Sequence, residues 1–131
     1  MKFKLGELQS FDKSPIWTIH DKYYQENGKN SWKNGHIPFN ITSNSRFAYQ
    51  NAKIFFEAVK DSSLEKLYIM EMGAGSGIFA YYFLEQLKII CEQKKSDLFK
   101  RVHYMITDYS VTNLNDIKNS KVFDEYQLNN T

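Results

Sequence analysis

A chain of 131 residues has room for one domain, and its 42% hydrophobic and 16% aromatic content excludes general disorder. A net charge of +2, with lysine and glutamate interspersed, gives no reason to expect a nucleic acid or an acidic membrane surface as partner. The single cysteine, Cys91, excludes an internal disulfide and suits a reducing, cytoplasmic setting; no run nears the roughly 18 apolar residues of a membrane span, and the start of the chain lacks a signal-peptide core.

Residues 1–36 form an aromatic-rich segment without clear periodicity, holding Trp17, Tyr23, Tyr24 and Trp32. Asn27-Gly28 and Asn34-Gly35 read as turns, and one short helix is expected around residues 16–26. These aromatics could line a substrate pocket, but packing as core or lid is the favoured expectation. Residues 37–131 carry the regular pattern. Phe47, Ala48, Asn51, Ala52, Phe55 and Val59 recur at helical spacing behind Asn44 or Ser45 as N-cap. Residues 67–72 are a short apolar run bounded by polar residues and glycine, which predicts a buried strand. A helix from about Ile78 to Glu92 should bury Phe79, Ala80, Phe83, Leu84, Leu87 and Ile90, with Cys91 as a small buried hydrophobe. A charged connection leads to a second apolar run, Val102 to Thr107, which ends at Asp108. Ser110 can cap a last helix on Val111, Leu114, Ile117 and Val122. The fold class is therefore α/β: a β-α-β unit with flanking helices, which implies parallel strands.

Three of the six glycines fall at 73, 75 and 77, between the first strand and its helix. Glycine at that density marks backbone that turns tightly and lets a ligand approach closer than a Cβ permits. A dinucleotide fingerprint would need glycine at position 78, which is Ile78, so a nicotinamide-dependent oxidoreductase is disfavoured. The stretch Glu71-x-Gly73-Ala74-Gly75-Ser-Gly77 instead resembles motif I of the class I S-adenosylmethionine-dependent methyltransferases. Together with Tyr104-x-Ile-x-Asp108-x-Ser110 it is similar to the MidA-type enzymes linked to mitochondrial complex I assembly. In that subfamily a Phe-x-Thr segment and a helix precede the loop; Phe39-Asn-Ile-Thr42 and the helix from Ser45 are the counterparts. The subfamily's Thr-Ala-Pro-Glu run is replaced here by Thr42-Ser43-Asn44-Ser45.

The resemblance implies the N-terminal part of a Rossmann-like methyltransferase sheet, with S-adenosyl-L-methionine as cofactor. Backbone amides at Gly73, Ala74, Gly75 and Gly77 would receive the carboxylate end of the ligand. Glu71 would take its ammonium group or brace the loop. Asp108 would grip the two ribose hydroxyls, its two oxygens matching a vicinal diol. Asp108 lies farther beyond Gly77 than the roughly 20 residues common for such an acid, an excess the helix and the charged connection account for. Tyr109 is a candidate beside the adenine, and Thr42, with Asn40, a candidate of the pocket wall. His20, His36 and His103 show no metal-ligand spacing, and no metal site is expected. No residue is assigned a catalytic role.

A sheet of this type has seven strands, and two parallel strands alone leave apolar faces uncovered. The expectation is an incomplete sheet, finished either by further sequence or by a second chain. Two functions follow: the cofactor-binding portion of a methyltransferase whose acceptor, a protein side chain among the candidates, is unknown, or a non-catalytic interaction and assembly module built on the same fold.

Overall fold

A computed structural model describes residues 4–35, 37–38 and 40–127. His36 and Phe39, named above, lie outside the described residues. The element order is α1 (Pro15–Asn27), α2 (Asn30–Lys33), α3 (Ser45–Val59), β1 (Leu67–Met72), α4 (Ile78–Gln93), β2 (Val102–Thr107), α5 (Val111–Ser120) and α6 (Asp124–Gln127). Short 3-10 turns precede α1 and β2.

Local chemistry sets most of these boundaries. Pro15 occupies the first turn of α1, where no amide partner is needed, and the Ser14 hydroxyl accepts from the Ile16 amide. Asn44 caps α3, its side-chain oxygen accepting from the Phe47 amide at 2.8 Å. Ser110 caps α5 in the same way through the Asn113 amide. That last helix stops at Ser120, short of Val122, because Lys121 turns into the left-handed region at φ 57°. The N-terminal segment is more ordered than its sequence pattern suggests: two helices rather than one, joined at Gly28, whose φ is 48°.

β1 and β2 pair in parallel, Leu67 opposite Val102 through Met72 opposite Thr107, in a two-stranded sheet. One face of that sheet, carrying Leu67, Ile69, Val102 and Tyr104, closes on α4 and α3. Ala48 and Ala52 of α3 and Leu87 of α4 are fully buried there, with Phe56, Phe83, Ile90 and Cys91 around them. The small alanines let α3 lie close against α4. Phe56 replaces Phe55 as the innermost ring of α3, and Phe47 is exposed, a rotation of the expected stripe by about one position. Arg101 ties the chain entering β1 to the turn before β2, donating to the carbonyls of Ser62 at 2.8 Å and Leu64 at 2.7 Å.

The expectation of a strand buried on both sides fails for β1. Tyr68, Met70 and Met72 face outward, 58–81% exposed, beside Met105 on β2. The sequence run is apolar on both faces, as in strands buried between two layers, but among the described residues only one layer is present. A groove of about 740 Å³ runs along β2 on the helix-covered side, where Val102, Tyr104 and Ile106 meet Cys91 of α4, Phe123 and Tyr126, with Lys88, Asp97 and Lys100 at its rim. No helix among the described residues is long and apolar enough to cross a membrane.

Candidate functional site

The site forms at the carboxyl ends of β1 and β2, where parallel strands converge on the loop between β1 and α4. Ala74 donates its amide to the Thr107 carbonyl at 3.0 Å, and the Thr107 hydroxyl donates to the Glu71 carbonyl at 2.6 Å. These two bonds stitch the glycine loop to the end of β2. Gly77 donates to the Ala74 carbonyl at 2.9 Å, closing the bend. Gly73, Gly75 and Gly77 all have positive φ, of 73°, 58° and 76°, so the turn demands glycine on conformational grounds alone.

Their surroundings differ. A Cβ at Gly73 would meet nothing within 4 Å, so this backbone is open to close approach. At Gly75 it would stand 2.7 Å from the Trp32 ring, and at Gly77 3.1 Å from Ile117. Two of the three glycines thus make room for the protein's own side chains. Gly77 has no side chain to cap α4, whose N-terminus opens on the loop.

Asp108 sits directly at the bend. Its carboxylate accepts from the Gly75 amide at 2.7 Å, the Ser110 amide at 2.8 Å and the Asn113 side-chain amide at 3.1 Å. A carboxylate offers about four acceptor positions, so roughly one is left for a ligand. Loop and acid are neighbours, but they grip each other as well as facing a common space, and a two-point hold on a diol requires one internal bond to yield.

Glu71 points to the helix-covered face of the sheet, where its carboxylate accepts from the Tyr104 hydroxyl at 3.0 Å. Burial raises its pKa above the usual carboxylate value; the Tyr104 bond pulls it down and the Asp108 charge adds to the rise. Burial and the Glu71 charge likewise drive the Tyr104 hydroxyl far up. Because the native carboxyl holds its proton more tightly than the unfolded one, its protonated state favours folding below the unfolded value, near pH 4.3. That contribution is lost as pH rises through the raised native value. Denaturant melts across this interval should show Glu71→Gln flattening the loss, since glutamine keeps an acceptor for Tyr104 without a charge to desolvate.

Tyr109 is 75% exposed and its hydroxyl donates to Asp21 of α1 at 3.3 Å, so it reaches toward the N-terminal helices. Thr42 is exposed in the turn before α3. Its neighbours Asn40, Ser43, Asn44 and Ser45 do reach the loop: with Ser76, Gly77 and Tyr81 they border a groove of about 800 Å³. Of the two pocket-wall candidates named from the sequence, Asn40 lines this groove and Thr42 does not.

The expectation that the N-terminal aromatics pack as core or lid named no partner for them; the structure supplies it. Ser110 donates its hydroxyl to the Tyr24 carbonyl, Thr112 to the Gln25 carbonyl at 3.0 Å, and the Lys29 amide donates to Asp116 at 3.0 Å. Tyr24 packs against Trp32 with ring centroids 5.6 Å apart, and its hydroxyl is raised by burial, by Tyr23 and by the Asp108 charge. The N-terminal aromatics therefore stand over the acid and the loop. The only available signal was their density, which names no partner. Asn113, also missed, is buried, and its Oδ1 has no hydrogen-bond partner among the described residues. Searches against protein-family models, curated proteins and solved structures return no match for this chain.

Proposed function

We propose that this chain is the S-adenosyl-L-methionine-binding portion of a class I methyltransferase. One observation carries the reading: a glycine bend after the first parallel strand, with Gly73 open to close approach, lies against the acid that ends the second strand, Gly75 N to Asp108 Oδ2 being 2.7 Å. The donor set suits the ligand's polar ends. The loop and the uncapped start of α4 offer amides to a carboxylate. The remaining acceptor position of Asp108 and the Oδ1 of Asn113, without a partner among the described residues, offer oxygens to sugar or base donors. The bound cofactor would supply an activated methyl group on its sulfonium. The chain's residues would fix its orientation and exclude water on one side, leaving the acceptor, a protein side chain among the candidates, to approach from the other.

The exposed Tyr68, Met70, Met72 and Met105 on the uncovered face support a sheet completed by further strands and helices, from additional sequence or a second chain. Calorimetry of the full chain with S-adenosylhomocysteine should show binding that NAD does not compete away. Heat-silent titrations, with no thermal shift, would remove the reading.

The internal use of the Gly75 amide and the packing of Trp32 on Gly75 favour a second reading, a non-catalytic assembly module that keeps the fold without the ligand. A stable partner captured by the chain, together with absence of methyl transfer from labelled cofactor in the reconstituted complex, would select it.

A further inference from the structure

The α1–α2 segment is attached differently from the rest of the molecule. α3 and α4 bury a continuous apolar core, whereas α1 buries none of its residues. Its links to the residues after β2 are polar: Tyr109 to Asp21, Ser110 to the Tyr24 carbonyl, Thr112 to the Gln25 carbonyl, and Asp116 to the Lys29 amide. Segments held by few buried apolar contacts open at low free energy. One large group anchors this one, the Trp32 ring. Its Cζ2, Cη2 and Cε2 atoms would stand 2.7, 3.1 and 3.3 Å from a Cβ at Gly75, so the ring lies on the loop backbone itself. The preceding residue, Ser31, is 1% exposed, and its hydroxyl has no hydrogen-bond partner among the described residues. On α5, the buried Asn113 also has an Oδ1 with no partner among the described residues.

The geometry points to a displaceable lid: α1 and α2 cover the glycine loop, and the Trp32 ring must leave Gly75 before an adenosyl ligand can lie along the loop from Gly73 to Gly77. This rests on the reading of the site given above. The lid makes the competent state a fraction of the population, and weakens apparent affinity by that fraction. Moving the lid also takes Tyr24, which feels the Asp108 charge, away from that carboxylate.

Trp17 is the other tryptophan, so a Trp17→Phe chain reports on Trp32 alone. Titrating that chain with S-adenosylhomocysteine should shift its emission to the red as the ring moves from its seat into water. In calorimetry, Trp32→Ala should bind S-adenosylhomocysteine about fivefold to tenfold more tightly than the parent, with Trp32→Phe between them. Binding with unchanged or blue-shifted emission, or weaker binding by Trp32→Ala, would make Trp32 a fixed wall; that overturns the lid and leaves the ligand reading standing. Should Trp32→Ala fail to fold, the emission of the Trp17→Phe chain and the affinity of Trp32→Phe decide the matter. No binding by any of these chains overturns the lid and the ligand reading together.

Discussion

Replacing Asp108 with alanine should lower the free energy of unfolding by about 3 kcal/mol, since three hydrogen bonds to one charged acceptor are lost and the donors are left behind. The Gly75 amide matters most. Gly75 is buried, so its N–H has no ready access to water once the carboxylate is gone. The Ser110 amide and the Asn113 side chain lie at the start of α5, so the same change frays that helix and, through Ser110 and Thr112, loosens the α1–α2 contact. Urea denaturation followed by circular dichroism measures the loss. Asp108→Asn separates charge from shape. Its carbonyl oxygen still accepts, but its amide group faces a donor, and about half the cost should remain. Under the proposed function both variants also weaken S-adenosylhomocysteine binding, Asp108→Ala by about 1–3 kcal/mol, or roughly fivefold to 150-fold. A variant that unfolds earlier yet binds unchanged would restrict Asp108 to holding the loop.

Leu87→Ala should cost about 3 kcal/mol and lower the melting temperature by about 10 °C. Leu87 is 0% exposed and belongs to the cluster where α3, α4 and the covered face of the sheet meet. Its neighbours on α3 include Ala48 and Ala52, side chains too small to swing into the space vacated. The cavity therefore persists, and the loss exceeds the transfer free energy of the missing carbons. Leu64→Ala is the control: Leu64 is 62% exposed, and its truncation should change stability by about 0.5 kcal/mol or less. Calorimetric melting of the two variants beside the parent tests the assignment of this interface as the main core. Equal losses would place the core elsewhere.

The two predictions probe the part of the fold that local pattern reveals well and the part that it reveals poorly. The α4 stripe is legible because a helix with apolar residues at its period has one plausible buried face. Leu87, Leu84, Phe83 and Ile90 follow from that pattern and are buried. The bend at 73–77 is legible because positive φ in so short a stretch requires glycine, whatever lies outside it. Its purpose at each position is a separate matter. Nothing near Gly75 in the chain announces that Trp32 will lie on it, or that Ile117 will lie on Gly77.

β1 shows the same division. Alternation is the usual sign of a strand with one face in water, and Leu-Tyr-Ile-Met-Glu-Met hides it, because Tyr68, Met70 and Met72 are themselves apolar. A pattern that suits two covering layers cannot report how many are present. Asp108 was legible as an acid ending a strand. Its three internal donors were not, since Gly75 comes from a loop far back in the chain and Asn113 from a helix whose rotation had to be known first.

Elements, caps, the left-handed bend and the parallel pairing of two strands follow from near-neighbour sterics and from hydrophobic period, which any short window of residues records. The seating of Trp32 on the loop, the reach of Tyr109 toward Asp21 and the sharing of the Asp108 carboxylate depend on how distant segments close on one another. That closure is settled by the summed packing and polar pairing of the whole chain, and no local stretch of sequence carries that sum.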